Sequence, residues 1–405
     1  MPPSTDTLLT RLLAGIEREL PLAVALRHRL HAQPELAHHE QRTSAAVAEE
    51  LPVPCDTVAG TGRIARVGSP RGAAVAVRAE LDGLPLRERT VAPFKATGEV
   101  MHACGHDVHM AALVALARAA HMLGDALPAS LAAVFQPSEE DYPSGAELLR
   151  PMMAKLEPAA IVAAHVHPEL PWGAVALDPG TVNASCDSVE ITVEGEPSHA
   201  AYPHRGLDPI LAISQIVVAL HARIGRRIDP LAPAVLTVGV LEAGVAENVI
   251  PAHARARATL RAHRPEDRLS LRRMVEEVVV GVAAAHGCSG SIELTAGEPA
   301  LENDPSIVAV ARELLHGADL SPSPEWRSCG SDDFAFFGAL DAPLAMGFVG
   351  LDGAVGFETR PLHHPELLPP DDAVGAVARV QAVLYVAAVV ALGLTAGSPS
   401  DVAGD

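Results

Sequence analysis

Three short, uninterrupted apolar runs constrain this chain more than any other feature: residues 73–78 (Ala-Ala-Val-Ala-Val-Arg), 131–136 (Leu-Ala-Ala-Val-Phe-Gln) and 161–165 (Ile-Val-Ala-Ala-His). A strand with one wet face alternates apolar and polar side chains, so runs without alternation predict strands covered on both faces. Between the first two, residues 109–123 repeat apolar positions at helical spacing and stop at Gly124. Strand, helix, strand at this spacing predicts a layered α/β core around a mainly parallel sheet.

The pattern changes after Gly180. Residues 188–194 (Ser-Val-Glu-Ile-Thr-Val-Glu) alternate polar and apolar, the mark of a sheet with one face in water. A helical stretch over 208–224, strand-like stretches over 234–241 and 254–262, a helix over 265–286 and a strand over 291–295 follow. The order is β-α-β-β-α-β, the ferredoxin-like motif. The expected organisation is therefore a larger domain from residues 1–183 and 296–395, an inserted α+β domain over 184–295, and a frayed tail over 396–405. The apolar run over 382–394 is shorter than the ~20 residues that cross a bilayer and reads as a buried helix.

Charge narrows the functions. Fifty acidic residues against thirty basic ones give a net charge of −20. Such a surface repels phosphate backbones and anionic lipids, so neither nucleic acid nor membrane is an expected partner. Five scattered cysteines in a chain this long do not form a disulfide framework, and no apolar leader opens the chain. A reducing, cytoplasmic location is expected.

Four features could supply metal donors. Cys104 and His106 stand two apart within a segment that also holds His102 and His109, and a thiolate and an imidazole at that spacing can converge on one ion. Glu139 and Glu140 follow an apolar run, where neighbouring carboxylates can face a metal and a water separately. His165 ends another run. His363 and His364 lie together in a loop. A paired Glu is most often solvated surface and a lone strand-end His most often structural. Together, though, these residues place sulfur, nitrogen and oxygen donors at several strand ends of one sheet, where α/β proteins build their sites.

The same residues carry a resemblance. Arg78-Ala79-Glu80-Leu81-Asp82-Gly83-Leu84-Pro85, Met101-His102-Ala103-Cys104-Gly105-His106-Asp107, Phe135-Gln136-Pro137-Ser138-Glu139-Glu140, Ser198-His199-Ala200-Ala201, Asn248-Val249-Ile250-Pro251 and Leu362-His363-His364-Pro365 resemble, in order, motifs of the metallo-aminoacylase and carboxypeptidase superfamily. The similarity is to its amidohydrolase branch, that of hippurate hydrolases and N-acyl-amino-acid or indole-acetyl-amino-acid hydrolases. The resemblance implies metal ligands Cys104, His106, Glu140, His165 and His363, with Glu139 as general base. It implies that His199, on a lid and dimerisation domain, reaches the active site of the partner subunit. Asn248 would hold the substrate carboxylate and Asp82 would orient the site. Glu80 departs from the branch's Asp, Gly83 from its Ala, Pro197-Ser198 from a Gly-Gly pair, and 141–145 from a Gly-rich loop.

The expected function is di-metal hydrolysis of the amide bond of N-acyl amino acids by a homodimer, using two divalent ions of zinc, manganese, cobalt or nickel. A metal-activated water would attack, Glu139 would shuttle its proton, and His199 would hydrogen-bond the oxyanion. A dipeptidase or carboxypeptidase of the same superfamily, and a silent metal-binding or ligand-binding relative, are the alternatives.

Overall fold

The computed structural model describes residues 5–395. The tail expected over 396–405 lies outside the described residues. The chain forms two compact units. One comprises the residues up to Gly180, Glu302–Trp326 and those from Phe336 onward; the other comprises Thr181–Leu301 and Arg327–Ala335.

The first unit is built on an eight-stranded sheet. Its spatial order is Cys55–Val58, Gly62–Val67, Ser130–Gln136, Ala74–Glu80, Ala160–Pro171, Leu344–Asp352, Ala174–Ala176 and Ser321–Pro322. The four central strands run parallel. Ala74–Glu80 and Ser130–Gln136 are buried at every position, the physical reason for their unbroken apolar runs. The sheet as a whole is mixed, with parallel pairing through its centre as expected and antiparallel pairing on either side. Gly62–Val67 pairs antiparallel with Ser130–Gln136, and Leu344–Asp352 pairs antiparallel with Ala174–Ala176. Only the edge pair Cys55–Val58 and Gly62–Val67 is joined by a short turn, as an antiparallel pair can be.

Helix His106–His121 connects Ala74–Glu80 to Ser130–Gln136 and packs with Thr5–Ala32 and Asp372–Ala391. The last of these is long and apolar enough to cross a membrane by composition alone, yet most of it lies inside the core. His165 does not end its strand, which continues to Pro171. It stands just beyond the rungs that join this strand to Ala74–Glu80.

The second unit has an antiparallel sheet in the order Ala234–Ala243, His253–Ala262, Ser185–Glu194, Ser289–Ala296. Along Ser185–Glu194 every other residue is buried. That face packs on helices Pro209–Arg227 and Pro265–Ala285 around Ile191, Ile216, Leu220, Met274 and Val279. Asp208 caps the first helix by accepting from the backbone N–H groups of Ile210 and Leu211, satisfying donors that a helix start leaves open. Arg327–Ala335 was expected with the first unit but packs into this one. The Ser328 carbonyl accepts from the Ala184 backbone, and the Arg261 guanidinium donates to the Cys329 carbonyl at 3.2 Å.

Candidate metal centre

Gly105 is the pivot of the Cys104-His106 segment. Its φ of +88° is open to glycine at no steric cost, and a Cβ there would lie 2.5 Å from Val166 Cγ2. The bend caps helix His106–His121 and leaves Cys104 just outside it, with His106 in its first turn. Two further backbones near the site are left-handed without being glycine, Ser138 (φ +47°) and His363 (φ +64°). Each is tied down: the Ser138 N–H donates to Glu40 Oε1 at 2.8 Å, and the His363 N–H donates to the Ala103 carbonyl at 2.8 Å.

These segments bring six of the expected residues together. Cys104 Sγ lies 3.5 Å from His165 Nε2. His363 Nε2 lies 3.3 Å from Glu140 Oε1. His106 Nε2 stands 3.9 Å from Glu140 Oε1 and 4.0 Å from Glu139 Oε2. Donors at about 2.0–2.3 Å around a tetrahedral ion stand roughly 3.5 Å apart, so these separations suit ligands gathered round a cation.

The hydrogen bonds aim the rings. His106 Nδ1 donates to the Asp82 carbonyl at 2.9 Å and His165 Nδ1 to the Val166 carbonyl at 2.6 Å. Each ring thereby presents its Nε2 lone pair to the cluster, the arrangement that metal-ligating histidines use. His106 Nε2 and Glu140 Oε1 are buried without a hydrogen-bond partner, a costly state unless something charged completes them. Asp82 Oδ2 accepts from the Glu140 N–H at 2.9 Å and so links the helix segment to the paired glutamates.

Electrostatics point the same way. Burial would lower the His106 pKa, but Glu80, Asp82 and Glu140 outweigh it and push it up to about 10. Burial, together with Glu140, Glu139 and Glu80, holds the Cys104 thiol well above its ordinary range. The cluster draws positive charge, and its thiolate needs a cation beside it. Cys104, His106, Glu139, Glu140, His165 and His363 therefore fit divalent metal.

His199 and Asn248 belong to the second unit. A short ladder pairs His199 with Val249, and the Ala200 N–H donates to the Asn248 carbonyl at 3.0 Å. His199 is exposed, and its Nδ1 accepts from the Ala201 N–H at 3.0 Å, which leaves the ring proton on Nε2 as an outward donor.

Two polar groupings near the cluster were not assigned from sequence. Glu80 and His109 are joined at 2.8 Å. Behind the helix start, Asp107 accepts from Arg27 Nε and His31 Nδ1 at 3.0 Å each, and His31 Nε2 faces Glu88 at 3.2 Å. Arg27 and His31 are four apart, one face of a helix, the signal that could have paired them.

Comparison with known proteins agrees with this geometry. The profile of peptidase family M20/M25/M40 matches residues 76–385. An N-acetyl-L-cysteine deacetylase of Bacillus subtilis (strain 168) is 32% identical over 360 residues, covering 87% of this chain and 84% of its own. An N-acetyldiaminopimelate deacetylase of Bacillus pumilus is 31% identical over 373 residues, covering 89% and 96%. Among solved structures, a Bacillus subtilis protein described as a dinuclear metal-binding peptidase of the M20 family superimposes with a TM-score of 0.80 at 27% identity, over 93% of this chain and 99% of its own. The chain belongs to peptidase family M20/M25/M40 and is a hydrolase of amide bonds built round a metal-binding cluster.

Proposed function

We propose that the protein hydrolyses N-acyl amino acids to a carboxylic acid and a free amino acid. Cys104, His106, Glu140, His165 and His363 hold two divalent ions, zinc, manganese, cobalt or nickel, and Glu139 is the general base. The observation that carries this reading is the position of Glu139, its Oε2 4.0 Å from the unpartnered His106 Nε2, on the rim of the donor cluster. The deacetylase relatives support the N-acyl amino acid as substrate class.

When bound, divalent ions lower the pKa of water and polarise a carbonyl oxygen. The chain supplies the rest. The Asp82 carbonyl and carboxylate hold His106 and the Glu140 backbone in place. Glu139 takes a proton from the attacking water and returns it to the departing nitrogen, so that water adds across the C–N bond. His199 Nε2 donates to the oxyanion from the partner subunit of a homodimer formed through the second unit, which acts as a lid. Asn248 faces the substrate carboxylate. We place the enzyme in the cytoplasm, in keeping with five unpaired cysteines.

Glu139→Gln tests this reading. The variant should keep its full metal content while turnover falls about 10²–10⁴-fold. A variant that retained turnover would remove Glu139 from the role of base. A panel of N-acetyl, N-benzoyl and N-indole-acetyl amino acids on protein reloaded with each metal identifies the acyl group.

A further inference from the structure

His109 is fully buried in the first turns of helix His106–His121, 4.5 Å from His165 between ring centroids. With Glu80 and His165 it forms a group close enough to hold an ion. Its hydrogen bonds say otherwise. The ladder between Ala74–Glu80 and Ala160–Pro171 runs from Val75↔Ala160 to Arg78↔Ala163. Just past that last rung stand Glu80 and Val166, and the His109 ring lies between them. Its Nε2 accepts from the Val166 N–H at 3.0 Å, and its Nδ1 donates to Glu80 Oε2 at 2.8 Å. A backbone N–H can only donate, so the proton sits on Nδ1 and the ring is neutral. Both nitrogens are occupied, which leaves no lone pair for a metal.

Glu80 is itself held. Its other oxygen pairs with Arg78 Nη1, and Arg78 Nε donates to Gln136 Oε1 at 3.0 Å on the next strand. At the far end, Val166, whose N–H His109 grips, offers the carbonyl of its following peptide to the His165 Nδ1 proton. We propose that Arg78, Glu80 and His109 form a brace that replaces the missing strand rung, holds Val166 by its N–H and so steadies the residue whose carbonyl aims His165 Nε2 at Cys104. His109 is a positioning residue in this scheme and Glu80 its anchor. The inference rests on His165 being a metal donor.

The test uses full-length apo-protein titrated with Co²⁺, reading stoichiometry, the dissociation constant of each ion, the thiolate-to-cobalt charge-transfer band from Cys104, and the melting temperature. His109→Leu should weaken one ion about 10–100-fold, the usual cost of losing support behind a ligand, and change that band while the other ion binds as before. His109→Gln should recover most of the affinity, because a carboxamide can both donate to Glu80 and accept from Val166. His165→Ala should lose that same ion. Wild-type cobalt affinity and spectrum in His109→Leu would overturn the brace while leaving His165 as a donor. Loss of the ion in both His109→Leu and His109→Gln, matching His165→Ala, would make His109 a ligand and overturn it too. Unchanged metal binding in His165→Ala would instead overturn the donor assignment. If His109→Leu fails to fold, His109→Gln and Glu80→Gln decide. Glu80→Gln is then expected to lose about 10–100-fold, and wild-type binding by Glu80→Gln sinks the brace.

Discussion

At the scale of single residues, burial gathers carboxylates, imidazoles and a thiol into a space where each alters the charge of the next. His31 shows this away from the candidate metal donors. Burial alone would lower its pKa, but Asp107 and then Glu88 outweigh burial and raise it from 6.5 to about 9. A group with a raised folded-state pKa contributes its full stability below pH 6.5 and loses it as pH climbs through 9. Urea melts of the wild type should therefore weaken between those limits by an amount on the order of 3 kcal/mol. His31→Gln should be less stable at neutral pH and flatter across that window. An equally steep loss in the variant would remove His31 as the cause. Cys104→Ala should lower the affinity of an ion and abolish the cobalt charge-transfer band without unfolding the chain, since alanine fills the same small buried site.

At the scale of elements, the site depends on how strands end and how one helix begins. Gly105 combines a positive φ with contact against Val166, so Gly105→Ala must strain the backbone and push the helix start from the sheet. A loss of about 2–4 kcal/mol is expected from the two effects together, with metal content falling in parallel. A variant that melted like wild type and kept its metal would show that the helix start has room to adjust. Much of this level could be read in the sequence. The runs near residues 73, 131 and 161 announced buried strands, and the Cys104-Gly105-His106 spacing announced convergence. The mixed sheet could not be read there, because the sense in which Gly62–Val67 pairs depends on its partner rather than on its own pattern. His109 was noted only as one more histidine in a dense segment. Its partners Glu80 and Val166 are far away in sequence, and helical spacing alone does not say which strand a helix face meets.

For the whole molecule, the prediction concerns the second unit, which carries His199. His199 presents an outward Nε2 donor, and in the proposed mechanism that donor serves the partner subunit. His199→Ala should then lose about 10²–10³ in turnover and keep its metal. Inactive Glu139→Gln and His199→Ala chains, refolded together, should regain activity. Random pairing leaves about one quarter of the sites with both residues intact in a two-fold dimer. Mixtures that stay inactive would place His199 and Glu139 in the same subunit's site. Sedimentation at falling concentration gives the independent check on the dimer.

The sequence by itself determined the layered α/β class, the ferredoxin-like order of the inserted elements and the identity of the candidate donors. Each is written in local periodicity or in short contiguous motifs, which survive without knowledge of the fold. Tertiary structure alone decided the convergence of Cys104, His106, Glu139, Glu140, His165 and His363 on one cluster. It also decided the return of Arg327–Ala335 to the second unit and the wedging of His109 between two diverging strands. Those outcomes depend on distances between residues far apart in the chain, and such distances are set only when packing chooses which faces meet.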